Sequence, residues 1–296
     1  MRVGILGTGF GKVHAGIYSR LPKVEIAGLF GRTPEKLQEV HDEFKVPVTT
    51  EIDELITDPT IDVIDVCLPT ALHKEYVVKA LQHQKHVFCE TPVSYSLEDA
   101  KEMKRAAEQY NKCVFVDLFL KFSDPHKYAF DTIHAKDLGR PLVVTAYQKT
   151  PPHWGNMDLN HLVQDFMLHN FDFVTELLGR PQEVTANGII TENSHVVTTL
   201  KYSEGLAVVE SSTLLPWKFP FGLGFMVVCE SGTITFDGQF GEETVQRLML
   251  YTNDSAEAIE LPAHDEYEEA FKHVITCIET DTLWSPLSLD AAIESL

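Results

Sequence analysis

Positive charge is scarce in this chain. Its 24 lysines and arginines face 44 aspartates and glutamates, for a formal net charge of −20. That balance excludes broad contact with the phosphates of nucleic acid and attraction to an anionic membrane surface. It leaves room for one local basic pocket. Long apolar runs are missing as well: none approaches the roughly 20 residues a membrane span needs. Cysteine is sparse, with Cys67, Cys89, Cys113, Cys229 and Cys277 widely spaced, odd in number and without a C-x-x-C pair. Free thiols in a reducing compartment are expected, not a disulfide frame or a zinc site. H-E-x-x-H is absent, and His153, His161 and His169 lack a metal-ligand spacing, so no metal is expected. The first residues run straight into a strand pattern with no secretory leader, which points to the cytoplasm.

The chain has 296 residues, 44% hydrophobic and 23% charged, enough for two folded domains and ordinary in composition. The opening stretch organises the rest. Val3, Ile5 and Leu6 form a short apolar run, Gly7-Thr8-Gly9-Phe10-Gly11 follow, and Val13, Ala15, Ile17, Tyr18 and Leu21 recur at helical spacing. This reads as strand, tight glycine turn, helix. Unpaired N–H groups and partial positive charge at such a helix start suit a phosphate, and glycines let the backbone approach it. The pattern is the opening of a dinucleotide-binding βαβ unit, with its third glycine, Gly11, one position earlier than in G-x-G-x-x-G and Lys12 in the usual place.

The second strand, 24–30, ends in Gly31-Arg32-Thr33. A carboxylate at that point would bind a ribose 2′-hydroxyl and repel a 2′-phosphate. A guanidinium, a hydroxyl and backbone amides instead suit the phosphate, which favours NADP(H) over NAD(H). Thr33 and Pro34 also read as the cap and first residue of a helix over 34–44.

Strands then alternate with helices: strand 46–48, helix 51–56, the near-continuous apolar strand 61–68, a helix after Pro69-Thr70, strand 85–89 ending in Glu90-Thr91-Pro92, a helix capped by Ser96, and strand 113–117. This alternation predicts a doubly wound parallel sheet, a Rossmann domain over 1–119, with ligand chemistry at the carboxyl ends of its strands. The remainder, 120–296, reads as an α+β domain. It has a helix over 123–137, a strand over 141–149, a long helix over 160–178 that ends at Gly179, and then a mainly antiparallel open sheet. A last helix covers 265–280.

The long helix carries Asp165, His169 and Asp172. On a regular helix the first two share a face. An imidazole that titrates near neutrality beside a carboxylate is an acid/base pair, or else a surface ion pair.

Four segments together resemble the family of glucose–fructose oxidoreductase and inositol dehydrogenase, the Gfo/Idh/MocA-type oxidoreductases, over essentially the whole chain. They are Gly7-Thr8-Gly9 with His14 and Ala15, Leu68-Pro69-Thr70 with His73, His86-Val87-Phe88-Cys89-Glu90-Thr91-Pro92, and Asp165-x-x-x-His169-x-x-Asp172 running into Leu178-Gly179-Arg180-Pro181. The resemblance implies hydride transfer between a nicotinamide cofactor and a sugar- or polyol-like alcohol or carbonyl compound. It places Leu68, Pro69, Thr70, His73, Glu90 and Thr91 at the cofactor, Asp165 on substrate hydroxyls and His169 at the proton. Lys121, Trp154 and Asp172 complete the expected substrate set, and a homodimer or tetramer built through the open sheet is implied. Thr91 stands where the resemblance implies a catalytic lysine, and a cis bond to Pro92 is compatible with it. Either His169 moves the proton alone, or a lysine such as Lys121 or Lys149 reaches in, or the chain is a non-catalytic dinucleotide sensor. A third reading is a reductase of a bulkier apolar carbonyl or enone, with the aromatic stretch Trp217 to Phe225 lining its pocket.

Overall fold

A computed structural model describes residues 1–153, 155, 157–262, 265–282 and 285–296. In chain order the first unit runs β1 (Arg2–Leu6), α1 (Phe10–Tyr18), β2 (Glu25–Phe30), α2 (Pro34–Phe44), β3 (Val48–Thr49), α3 (Ile52–Ile56), β4 (Val63–Val66), α4 (His73–Gln82), β5 (His86–Cys89), α5 (Leu97–Tyr110) and β6 (Val114–Val116). Its six strands are parallel, in the order β3-β2-β1-β4-β5-β6. β4 is buried at every position and β1 nearly so, because helices cover both faces, which is why these strands read as apolar runs without alternation. The order reverses between β1 and β4, the point where open α/β sheets take ligands.

The second unit has its own core, built from helix residues such as Phe130, Phe173 and Val174 and sheet residues such as Val144, Val209, Phe225 and Ile234. Its elements are α6 (Asp124–His134), β7 (Pro141–Lys149), α7 (Leu159–His161), α8 (Leu168–Leu178), β8 (Glu183–Ile190), β9 (Ser194–Lys201), β10 (Leu206–Ser212), β11 (Phe221–Cys229), β12 (Thr233–Phe240), β13 (Thr244–Tyr251) and β14 (Ala256–Ile259). The eight strands form one sheet, β14-β13-β12-β11-β7-β10-β9-β8, antiparallel except where β7 meets β10.

Two expectations change. The helix over 160–178 is not continuous: Leu162–Phe166 forms a π turn between α7 and α8, closed by a Met167 N–H to Leu162 carbonyl bond of 3.0 Å. The extra residue in that turn shifts the helical phase, so Asp165 and His169 do not follow the face rule of a regular helix. The boundary at 119/120 also leaves out a return of the chain. Compact unit one comprises Met1–Phe119 together with Asp265–Glu294, and unit two covers 120–264. The returning segment carries α9 (Glu266–Glu279) and α10 (Leu289–Ser295). Phe271 of α9 is the reason: its ring centroid lies 4.8 Å from that of His14, 4.7 Å from Tyr18 and 4.9 Å from Phe88. The Val116 N–H also donates to the Leu287 carbonyl at 2.8 Å, extending the edge at β6.

Candidate functional site

The turn between β1 and α1 is shaped by three glycines with three different tasks. Gly7 has φ +119°, and a Cβ there would lie 2.3 Å from the Cys67 carbonyl oxygen. Only glycine fits that backbone. Gly9 caps α1 and has no atom within 4 Å of where a Cβ would point. Gly11, within the first helical turn, would bring a Cβ to 3.0 Å from Ile5 Cγ2, so its absence lets α1 pack tightly on β1. The displaced third glycine therefore still performs helix–strand packing. No side chain caps α1, and its first turn holds no acidic residue. Its N-terminus is a cradle open to an anion.

Thr8 packs its methyl over Gly31, where a Cβ would stand 2.5 Å away. Beyond Gly31, Arg32 is exposed and forms no ion pair among the described residues. Thr33 occupies the cap position of α2, with Pro34 following, but its hydroxyl makes no capping bond. Its side chain is thus open to a ligand, which the helix-cap expectation did not foresee. A phosphate-bearing dinucleotide fits this set: an open helix start, then a free guanidinium and hydroxyl one strand over.

Leu68 and Pro69 leave β4, Thr70 opens a short 3₁₀ turn, Thr70–Leu72, and His73 starts α4. His73 is buried, with Nε2 2.7 Å from the Leu68 carbonyl and Nδ1 3.1 Å from that of Pro92. Burial lowers its pKa despite these carbonyls. A neutral ring donates through one nitrogen only, so one of the two carbonyls receives its N–H. His73 thus stands between the exit of β4 and the exit of β5, within reach of a backbone carbonyl from each. It lies beside the Leu68-Pro69-Thr70 loop that opens α4. The Thr91–Pro92 bond is cis. The Thr91 N–H donates to Glu90 Oε2 at 3.0 Å.

Beneath this edge lies a cluster that sequence reading missed. His14 of α1 is fully buried. Its Nδ1 is 2.9 Å from Asp65 Oδ2 and 3.3 Å from Cys67 Sγ. Its Nε2 is 2.9 Å from Glu90 Oε1 and 3.6 Å from Asp117 Oδ2. Asp65 and Asp117 are buried, and neither Asp117 oxygen has a hydrogen-bond donor among the described residues. Burial pushes the Asp117 carboxyl well above the usual range, with Glu90 adding to it. Burial alone would lower His14, but Cys67 and Asp65 beside it raise the imidazole well above its ordinary value. Burial pushes the Cys67 thiol up, with Asp65 adding to it and His14 opposing it. The 2.9 Å His14–carboxylate spacings are those of charge-assisted contacts; ligands around one tetrahedral zinc would stand roughly 3.3 Å apart. The only hint in the sequence was a charge, Asp65, inside the apolar run of β4.

In the second unit Asp165 lies half-buried in the π turn, and His169 is buried at the start of α8. His126 of α6, unforeseen, stands behind them: burial, and then the His169 charge, push its pKa down to about 3. Ser123 Oγ lies 3.1 Å from its Nδ1. Lys121 and Asp172, both in the expected substrate set, pair with each other. Lys121 Nζ is buried 3.2 Å from Asp172 Oδ1 and 3.0 Å from Glu176 Oε2. A lysine inside needs a carboxylate, and the pair consumes the charge each would offer a ligand. Lys149, the other candidate lysine, is 2.8 Å from Glu210 Oε1. Trp154 lies outside the described residues. The aromatic stretch 217–225 divides, with Trp217 and Phe219 exposed and Phe225 in the core, so it does not form one apolar pocket lining. No helix among the described residues is long and apolar enough to cross a membrane.

Comparison with known proteins bears on this geometry. Residues 1–118 match the family model described as oxidoreductase family, NAD-binding Rossmann fold. An uncharacterized oxidoreductase of Bacillus subtilis, YrbE, is 31% identical over 229 residues, covering 71% of this chain and 66% of the relative. A myo-inositol 2-dehydrogenase of Thermotoga maritima is 25% identical over 228 residues, covering 72% of this chain and 68% of the relative. The chain thus spans about two thirds of the length of these two relatives. A crystal structure of an oxidoreductase from Agrobacterium radiobacter in complex with NAD+, L-tartaric acid and magnesium superposes with a TM-score of 0.84 at 17% identity, covering 100% of this chain and 93% of that one. At that identity the likeness establishes the fold.

Proposed function

Because this chain belongs, through residues 1–118, to the GFO_IDH_MocA oxidoreductase family with its NAD-binding Rossmann fold, we propose that it is an NADP(H)-preferring oxidoreductase of a sugar- or polyol-like alcohol or carbonyl compound. The observation that carries the cofactor preference is the end of β2. Arg32 is exposed and has no ion pair among the described residues, and the Thr33 hydroxyl makes no capping bond, with no carboxylate at Gly31-Arg32-Thr33 to repel a 2′-phosphate. Gly7, Thr8, Gly9, Phe10 and Gly11 hold the pyrophosphate at the start of α1. Leu68, Pro69, Thr70, Glu90 and Thr91 border the nicotinamide, with His73 fixing their loops.

The nicotinamide, when bound, supplies or accepts the hydride. The chain's own groups handle position and protons. Asp165 orients a substrate hydroxyl, and His169 takes or gives its proton. An acid/base group in that role contributes about 10²–10⁴-fold. His126, held neutral beside His169, keeps a second positive charge away from it. A homodimer or tetramer built through the second unit's sheet, in a reducing cytoplasm that keeps all five cysteines free, completes the reading. A second reading, a non-catalytic NADP(H) sensor, is favoured by Thr91, whose hydroxyl does not ionise usefully near neutrality.

Fluorescence titration with NADPH and NADH, followed by a panel of sugars, polyols and keto-sugars with absorbance of the reduced cofactor as readout, separates them. NADPH binding with turnover that His169→Ala abolishes supports the enzyme. NADPH binding without turnover across the panel supports the sensor. Binding of neither nucleotide overturns both.

A further inference from the structure

Among the described residues, five protonatable side chains crowd the centre of the first unit, and His14 is the one basic group of the five. His14 touches Asp65 and Cys67 through Nδ1 and faces Glu90 and Asp117 through Nε2. Tyr18 of α1 and Tyr267 of α9 border the same carboxylates, and Cys89 ends β5 among them. Among the described residues, no lysine or arginine pairs with these carboxylates. Asp65 and Glu90 each stand 2.9 Å from a nitrogen of His14, which leaves Asp117, at 3.6 Å, the third carboxyl around one imidazole. An ionised Asp117, 1% exposed, would be a charge taken out of water without a partner of its own among the described residues.

The geometry says where a proton resides. Asp65 accepts from His14 Nδ1, and Glu90 accepts from the Thr91 N–H. Asp117, 1% exposed, has no donor to either oxygen among the described residues. It is the carboxyl least able to hold a charge. The geometry also gives the way out. Glu90 has a side chain 13% exposed, against 0% for His14 and Asp65 and 1% for Asp117. It follows β5 directly, at the carboxyl edge of the sheet.

We infer that the His14 cluster is a proton store, with Asp117 a neutral carboxylic acid at neutral pH and Glu90 the outlet toward a ligand bound at the carboxyl edge. The transfer is a relay of protons only. The Nε2–H bond of imidazolium His14 breaks as an O–H bond forms on Glu90, the Asp117 O–H bond breaks as Nε2 is reprotonated, and Glu90 passes its proton to an oxygen of the ligand. Asp117 is left ionised and is refilled from solvent by the reverse path. No electrons move. That the acceptor is the oxygen of a carbonyl undergoing reduction rests on the oxidoreductase reading; the store itself does not.

The test is infrared spectroscopy of the unliganded full chain. A carboxylic-acid C=O stretch is expected at neutral pH, moved by isotope-labelled aspartate but not by labelled glutamate, and lost in Asp117→Asn. The labelled native protein gives the same answer should that variant fail to fold. On transfer to deuterium oxide the band shifts as the proton exchanges, and Glu90→Gln is expected to retard that shift strongly while leaving the band in place. Absence of the band in native protein overturns the store. Equal exchange in native protein and Glu90→Gln overturns the outlet. A stoichiometric divalent metal in the purified protein also overturns the inference, because the metal would then balance the carboxylates. None of these readouts uses turnover. An inactive protein with the band and the Glu90-dependent exchange would sink the enzyme reading and leave the store standing.

Discussion

Gly7 and Cys67 meet so closely that a single methyl group cannot be placed between them: a Cβ on Gly7 would stand 2.3 Å from the Cys67 carbonyl oxygen, on a backbone with φ +119°. At Gly9, two residues on, the corresponding position is open. The same substitution at the two sites should therefore fail in different ways. Gly7→Ala should lose stability by about 1–3 kcal/mol or more, through strain and clash together. Gly9→Ala should unfold near the native temperature but bind NADPH more weakly, since its methyl would occupy space a phosphate needs. Thermal melts beside fluorescence titration check this. Equal melting temperatures for the two variants would mean the turn is not built as described.

Arg32 tests the nucleotide preference. A guanidinium on a phosphate makes charge-assisted hydrogen bonds worth about 1.5–3 kcal/mol. Arg32→Ala should weaken NADPH binding by roughly 10- to 100-fold and leave NADH binding nearly unchanged. The effect should shrink at high salt, because the residue is exposed. Equal affinity of the variant and the native protein for NADPH would remove the basis for preferring it.

The buried pair of Lys121 and Asp172 makes a prediction about stability. Removing one partner leaves the other charge stranded, at a cost of about 3–5 kcal/mol, whereas replacing both with apolar side chains of similar size is often near neutral. Lys121→Met should therefore be strongly destabilised in urea titration, and adding Asp172→Leu to it should recover most of the loss. If the single variant is as stable as the native chain, the pair is not buried in solution.

How much of this was legible beforehand follows from which interactions are local. β7 spans the expected 141–149 and α2 the expected 34–44, because apolar patterning and a Thr-Pro start act within a few residues. β14 was invisible: Ala256–Ile259 is short and mostly exposed, with no alternation to read. The π turn at Leu162–Phe166 was missed because its apolar residues also satisfy a 3.6-residue period. Asp65, Asp117 and His14 come from β4, the end of β6 and α1, so their convergence is a property of the sheet order, which no spacing along the chain encodes. The return of Phe271 to the first unit is non-local in the same way. His73 was singled out by its motif, but its place between two loop carbonyls became visible only with the loops in place.

His126 gives the last prediction, on pH. Its pKa in the folded chain is about 3, pushed down by burial and by His169, whereas an unfolded chain protonates histidine near 6.5. Between those values the unfolded state binds the extra proton and the folded state does not. Stability from this group is therefore present above about pH 6.5 and is lost as pH falls toward 3, by an amount on the order of a few kcal/mol. His73, also lowered by burial, acts in the same direction. The His126 ring already packs among Phe173, Phe225 and Phe236, with centroids 5.1, 5.1 and 6.3 Å away. His126→Phe thus keeps an aromatic ring in an aromatic pocket and removes the titrating nitrogen. Urea unfolding at about pH 7 and pH 4 should show a smaller acid-induced loss in the variant than in the native chain. The difference between the two losses isolates this side chain from the carboxylates that titrate over the same range. Identical losses would place the His126 ring in solvent, where it has no reason to stay neutral.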